Sequence, residues 1–433
     1  MTSTATTAEQ STRSMVRRVV SASTIGTALE WYDFMLFGTA SALVLNKVVF
    51  DPSDPTAGTL ASFATFAVGF FARPIGGLVF GHLGDRFGRR LVLMITLTMM
   101  AVSSTLIGLI PSYESIGIWA AVLLVVLRIV QGLGAGAEYA GGSLMAAEHA
   151  PTNRRGLFAA IPPTGNAMGV ILATVVFTPF TWLPEEAFHS WGWRVPFLLS
   201  IALLPVGLYV RRRVDETPAF KKVAADDARE RVPFVALMRT HPKQVVLSIL
   251  ASVGPNVATY VPSVYALTYI TDDVGQAAWI GTVGVLLANV VKLATLPLSG
   301  YLSDLLGRRT VFISGAVLCA LMSFPFFWML DTGIAVVIWL ALLILLTLSN
   351  DLMLGAQATL LAEQFNSKVR FTGVAFSREV SAALSGGTLP FLAAALTGAT
   401  EGTWAISLVM LGMSVVSIAA AAFMTEGSGR RIS

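Results

Sequence analysis

The chain has 433 residues, of which 55% are hydrophobic and 12% charged, whereas a soluble globular chain carries about 25% charged residues. That is too little polar material to cover the two or three cores a soluble chain of this length would form, so a soluble enzyme, a nucleic-acid binder and a disordered protein are all poor fits. The formal charge of +4 and a pI near 9.3 reflect where the basic residues sit. A single cysteine, Cys319, rules out an internal disulfide; its neighbours Val317, Leu318, Ala320 and Leu321 mark it as a packed thiol.

A helix of about 20 apolar residues, rising about 1.5 Å per residue, crosses a hydrocarbon core about 30 Å thick. Residues 1–18 are polar and Ser/Thr-rich and read as a cytoplasmic tail. The first span is predicted near 19–45; it is too long for a signal-peptide core and carries Glu30 and Asp33, so it reads as retained. The second, near 57–81, contains Arg73, and the third, near 91–110, has no charge across Leu91–Ile110. The fourth, near 117–147, carries Arg128, Gln131 and Glu138. Its run Gly132-Leu133-Gly134-Ala135-Gly136 looks like a fragment of a dinucleotide loop, but no strand precedes it and it reads as a helix-packing face. Spans near 156–180 and 195–211 complete a first half, 19–211. Residues 212–242 mix Arg and Lys with Asp215, Glu216, Asp226, Asp227 and Glu230 and read as a cytoplasmic linker.

The second half, 243–425, repeats the pattern with spans near 243–270, 276–302, 310–330, 333–362, 370–397 and 401–425, before a short cytoplasmic tail, 426–433. Asn289 and Lys292 fall in the eighth span, Asp351 in the tenth, Arg378 and Glu379 in the eleventh. The expectation is an all-α membrane protein of twelve transmembrane helices in two pseudo-symmetric six-helix bundles. Placing both termini in the cytoplasm puts 23 of the 29 Lys and Arg on that side and only Lys47 and Arg194 on the other, the positive-inside pattern of a multi-pass protein of the cell membrane.

An internal repeat supports the division. Gly81-His82-Leu83-Gly84-Asp85-Arg86-Phe87-Gly88-Arg89-Arg90 follows span two, and Gly300-Tyr301-Leu302-Ser303-Asp304-Leu305-Leu306-Gly307-Arg308-Arg309 follows span eight, 219 residues later. Such duplicated units place a ligand site near mid-membrane, between the halves.

These two loops resemble the signature of the major facilitator superfamily. Glu30-Trp31-Tyr32-Asp33-Phe34, Phe71-Ala72-Arg73-Pro74-Ile75-Gly76-Gly77, Arg128-Ile129-Val130-Gln131-Gly132 and Ser190-Trp191-Gly192-Trp193-Arg194-Val195-Pro196-Phe197 resemble, more narrowly, the metabolite:proton symporter family of shikimate, α-ketoglutarate, citrate and proline/betaine permeases. The chain departs from that pattern at Gly136-Ala137-Glu138, where the family has Gly-Gly-Glu, and at Arg378-Glu379, where a Tyr followed by Asn or Gln is expected. The resemblance implies that Asp85 and Asp304 cap neighbouring helices and, with Arg89, Arg90 and Arg308, latch the cytoplasmic side; the bland reading is a pair of topogenic basic loops.

Nine ionisable residues lie inside predicted spans: Glu30, Asp33, Arg73, Arg128, Glu138, Lys292, Asp351, Arg378 and Glu379. Each costs about 2.5–3.5 kcal/mol at a lipid-exposed helix centre, so they are expected to face the interior or a water-filled cavity. Glu30 and Asp33 share a helical face and are the candidates for proton coupling, with Asp351; the competing reading pairs one of them with Arg128 as a fixed brace. Arg128 and Gln131 offer a forked donor and an amide for a carboxylate, with Tyr32 beside them. Lys292, with Asn289 one turn away, is expected to meet Asp351 or a substrate anion. Arg73, Glu138, Arg378 and Glu379 lie nearer the cytoplasmic ends and suit gating.

His82, His149, His189 and His241 lie apart without ligand spacing, and there is no phosphate-binding loop, so neither a metal, a cofactor nor an enzymatic activity is expected. The sequence therefore reads as a monomeric secondary transporter that takes up a small carboxylated metabolite with protons by alternating access. A proton-driven exporter or antiporter of a small organic metabolite on the same fold is the alternative.

Overall fold

A hydrocarbon core offers no partner to a free backbone amide, so apolar runs of this length fold as helices, which satisfy those groups internally. The computed structural model describes residues 2–50, 55–136, 138–212, 233–400 and 402–427, and among the described residues it contains twelve long helical rods and no strand. The first half consists of α1 (Thr2–Ala40), α2 (Pro55–Phe87), α3 (Arg89–Gly108), α4 (Trp119–Ala135, then Glu138–His149), α5 (Thr152–Thr181) and α6 (Arg194–Arg212). The second consists of α7 (Pro242–Asp273), α8 (Ala278–Leu306), α9 (Arg308–Met322 and Pro325–Asp331), α10 (Ala335–Ala362), α11 (Arg370–Ser381, then Leu389–Thr400) and α12 (Trp404–Phe423). Among the described residues seven helices are long and apolar enough to cross a membrane unaided, and α9, bent by 49°, makes an eighth. The other four, α1, α2, α4 and α11, carry embedded charges or breaks. Ala137, residues 213–232 of the linker, Glu401 and the tail beyond Gly427 lie outside the described residues.

Two boundaries differ from the sequence reading. The polar segment 2–18 is the first part of α1, since neither Pro nor Gly interrupts the chain before Gly26. The two signature segments are mostly helix as well. Asp85 and Asp304 sit in the last turns of α2 and α8, and the chain turns only at Gly88 (φ 110°) and Gly307 (φ 95°), a backbone conformation that disfavours any side chain.

Within the first half α1 packs on α5 and α6, α2 on α4, and α3 on α6; within the second α7 packs on α12, α8 on α10, and α9 on α10 and α12. The halves meet along two seams, α2 against α11 and α5 against α8. The glycine run of α4 is a packing face, since a Cβ at Gly132 would stand 2.3 Å from the carbonyl oxygen of Gly69 on α2. Helix α3 shows how the interior is sorted: Val92, Leu93, Leu97 and Met100 are buried while Leu91, Ile95, Val102 and Leu106 are exposed. Helices apolar on both faces suit an exterior of lipid tails. Helix α1 packs through Val16 and Val20 on Ala146, and the chain just after α12 lies against Glu363 and Gln364. These two stretches share one face with the Gly88 and Gly307 turns, called here the terminal face.

Candidate functional site

Helices α1, α2, α3 and α4 enclose a small cavity deep in the first half, lined by Glu30, Phe34, Gly69, Arg73, Arg128 and Gln131 among others. Arg128 is 2% exposed. Its Nη1 donates to Gln131 Oε1 at 2.5 Å, and its guanidinium lies 3.8 Å from the centre of the Phe37 ring. Gln131 in turn donates to Ser104 Oγ at 2.7 Å, which fixes the amide. Gly69 makes the room: a Cβ there would stand 2.9 Å from Arg128 Nη2. Hydrogen bond, ring and glycine together hold a planar, forked cation against a void, the arrangement that suits a carboxylate.

Asp33 and Tyr32 line a second small cavity beside the first, with Glu30 and Met100 bordering both. Asp33 Oδ1 accepts from Ser200 Oγ at 2.6 Å. The Tyr32 hydroxyl donates to the carbonyl of Pro196 on α6 at 2.8 Å, so this candidate ligand contact is tied to the helix packing of its own half.

Glu30 pairs with Arg73 rather than Arg128. Arg73 Nη2 donates to Glu30 Oε1 at 2.9 Å, and its Nε donates to Glu379 Oε2 at 2.8 Å. Arg378 Nη1 donates to the other oxygen of Glu379 at 2.6 Å. One guanidinium thus bridges the halves, because α2 and α11 face each other across the seam. Glu138, 1% exposed, is within electrostatic reach of Glu30.

The second half supplies its own pair. Lys292 Nζ on α8 lies 3.4 Å from Asp351 Oδ1 on α10, and Thr295 donates to Asp351 Oδ2. Asn289 donates to the carbonyl of Val285 at 2.9 Å, in its own helix. The structure brings Lys292 and Asp351 together, but neither they nor Asn289 line the two cavities just described.

At the terminal face the two aspartates each cap a helix of the opposite half. Asp85 accepts from Thr372 N at 2.9 Å and Thr372 Oγ1 at 2.7 Å at the start of α11. Asp304 accepts from the amides of Gly156 and Leu157, both at 2.9 Å, near the start of α5. Helix N-termini are electropositive, so a carboxylate is favoured there. Arg89 and Arg370, from opposite halves, both bond Glu148, and Arg308 bonds Asp304 at 2.7 Å with Glu363 at 3.5 Å. Arg90 donates to the carbonyl of Arg212 at 2.5 Å. Glu148, in the last turn of α4 and past the end of the fourth span predicted near 117–147, is buried, which pushes its carboxyl up, but Arg89 and Arg370 outweigh this and hold it down at about 2.

Several contributors left no mark in the sequence pattern: Gly69, Phe37, Ser104, Ser200 and Thr295. Each is a small or apolar residue inside a membrane helix, where composition offers no contrast. Polar residues isolated in apolar runs, as Ser200 is in Leu198-Leu199-Ser200-Ile201, were the signal available.

This architecture has known counterparts. Residues 23–384 match the family model described as Major Facilitator Superfamily. The chain is 34% identical over 417 residues to the shikimate transporter of Escherichia coli (strain K12), covering 95% of each. It is 38% identical to the inner membrane metabolite transport protein YhjE of the same strain, over 93% of this chain and 92% of that one. It is also 33% identical to the proline/betaine transporter of Salmonella typhimurium, over 96% and 84%. Among solved structures, the proton:xylose symporter XylE bound to 6-bromo-6-deoxy-D-glucose superposes with a TM-score of 0.79 at 17% identity, over 97% and 98% of the two chains. The inward open conformation of the xylose transporter XylE from E. coli gives 0.64 at the same identity, over 96% and 98%. The chain is a twelve-helix, multi-pass membrane transporter, not an enzyme, and it belongs to the Major Facilitator Superfamily.

Proposed function

We propose that this protein carries a small carboxylated metabolite into the cell together with protons, by rocking its two halves about a site between them. The observation that carries the reading is Arg128: a fully buried guanidinium, set by Gln131 and Phe37, on the wall of a cavity that also takes Glu30 and Arg73. The substrate carboxylate binds the Arg128–Gln131 pair, Asp33 and Glu30 carry protons, and Lys292 with Asp351 forms the corresponding pair of the second half. The terminal face is placed in the cytoplasm in this reading, which the distribution of Lys and Arg supports. The bonds of Asp85, Asp304 and Glu148 across the halves then make the described state closed toward the cytoplasm. The names of the relatives support a metabolite substrate; shikimate, proline and betaine each carry a carboxylate.

Purified protein in proteoliposomes tests this. An inward proton gradient is expected to accelerate uptake of a labelled carboxylate from a panel that includes shikimate, proline and glycine betaine. Acceleration by an outward proton gradient instead would assign the antiport reading. Uptake indifferent to the gradient would overturn both.

A further inference from the structure

The inter-half cluster holds more carboxylate than guanidinium. Among the described residues Glu30 and Glu379 bond Arg73 and Arg378, and Glu138 lies within electrostatic reach of Glu30, three negative groups beside two positive, with Glu30, Glu138 and Glu379 only 3%, 1% and 1% exposed. Among the described residues around it, α1 brings Glu30, α2 Arg73, α4 Glu138, α11 Arg378 and Glu379, and α7 the phenol of Tyr260. Arg128 and Asp33, in electrostatic reach on the far side of the cavity, add one charge of each sign and leave the surplus unchanged. A carboxylate entering this buried site would raise the surplus to two.

Within the cluster the carboxylates are not equivalent. Glu379 receives a guanidinium hydrogen bond on each oxygen. Glu30 receives one, from Arg73 Nη2 to Oε1, and its Oε2 is buried and accepts no hydrogen bond among the described residues. Glu30 and Arg73 also line the same cavity as Arg128.

We infer that Glu30 occupies Arg73 as an internal stand-in for the substrate's carboxylate, and that one proton taken up by Glu30 exchanges that place for the substrate. The exchange balances: a proton from solution bonds Glu30 Oε2, the neutral carboxyl gives up Arg73 Nη2, and the incoming carboxylate accepts from Nη2 on one side and from Arg128 on the other. The surplus charge stays at one, so proton and anion load together. Arg73 keeps Glu379 through Nε, so the loaded substrate becomes part of the bridge between the halves. This rests on the carboxylate reading of the Arg128 site and adds what couples the proton to it.

The test is calorimetric binding of monocarboxylates (shikimate, quinate, pyruvate and benzoate) to purified protein, in buffers of different ionisation enthalpy, which reports protons taken up per ligand. The wild type is expected to take up about one proton per carboxylate near neutral pH and to bind about tenfold more tightly per unit fall in pH. Glu30→Gln, a neutral isostere, is expected to bind with no proton uptake and no pH dependence, and Glu30→Asp to restore both. A Glu30→Gln protein that still binds carboxylate with about one proton overturns the inference while leaving the carboxylate reading intact, and would move the coupling to Asp33. Absence of binding by every carboxylate in wild type, with binding of a ligand that has no carboxyl group, such as choline or xylose, overturns the inference and the carboxylate reading together.

Discussion

Arg128 illustrates how much of this site depends on shape at single residues. A lysine there would keep the charge but lose the planar fork, the bond to Gln131 and the face laid on Phe37. Hydrogen bonds to a charged group contribute about 1.5–3 kcal/mol, so Arg128→Lys is expected to raise the KM for uptake by roughly 10- to 100-fold while the protein still folds and inserts. Gly69→Ala should move KM in the same direction and by less, since its Cβ would meet a flexible guanidinium at 2.9 Å rather than remove it. Initial uptake rates over a substrate series separate the two from a simple loss of protein. The charged members of the site were legible in the sequence because a charge in an apolar run stands out. Their pairing was not: the competing reading set either Asp33 or Glu30 against Arg128, whereas Glu30 meets Arg73, because which charges meet depends on how α1, α2 and α4 are rotated against one another. Gly69 was invisible for a different reason, as one glycine among many in helices that all use glycine to approach.

At the scale of elements, the seams follow from side-chain size. Gly156 on α5 and Gly300 on α8 lie against each other across the halves; a Cβ at Gly156 would stand 2.4 Å from the Gly300 carbonyl oxygen and 2.3 Å from Ser303 Oγ. A backbone carbonyl cannot move aside as a side-chain tip can, and overpacking of this kind costs about 1–3 kcal/mol. Gly156→Leu is therefore expected to disfavour the state in which the terminal face is sealed. Spin labels on Asn153→Cys and Asn366→Cys, exposed positions on the two halves, placed in a Cys319→Ala background, should report a longer separation for Gly156→Leu than for its parent. An unchanged distance distribution would count against the seam as the sealing contact. The helices themselves were readable from apolar runs, and the duplicated halves from the paired signatures. The extent of those signatures was not, since nothing in Gly81–Phe87 forbids a helix, and only the positive φ of Gly88 ends it.

The whole molecule separates two kinds of ionic contact, and their response to pH should differ. The bonds of Glu148 to Arg89 and Arg370 tie the halves at the terminal face. Its carboxyl is held at about 2, below the ordinary value of 4.5. A carboxylate depressed in the folded state contributes stability that is fully present above its unfolded value and is lost as pH falls through the folded one. This tie is therefore constant from about pH 5 to about pH 8 and weakens only in strong acid. Removing one partner of a buried pair costs about 3–5 kcal/mol, because the other charges stay buried. Glu148→Gln is accordingly expected to lower the melting temperature by the same amount at about pH 5 and about pH 8, and to lower the uptake rate without changing the shape of its pH profile. Thermal unfolding in detergent at the two pH values, with the uptake profile beside it, checks both. A variant whose deficit appears only at one pH would show that the terminal-face tie itself senses protons. A constant deficit leaves proton sensing to the carboxylates around Arg73 and Arg128, where the two halves share a cation and the cavity opens onto it.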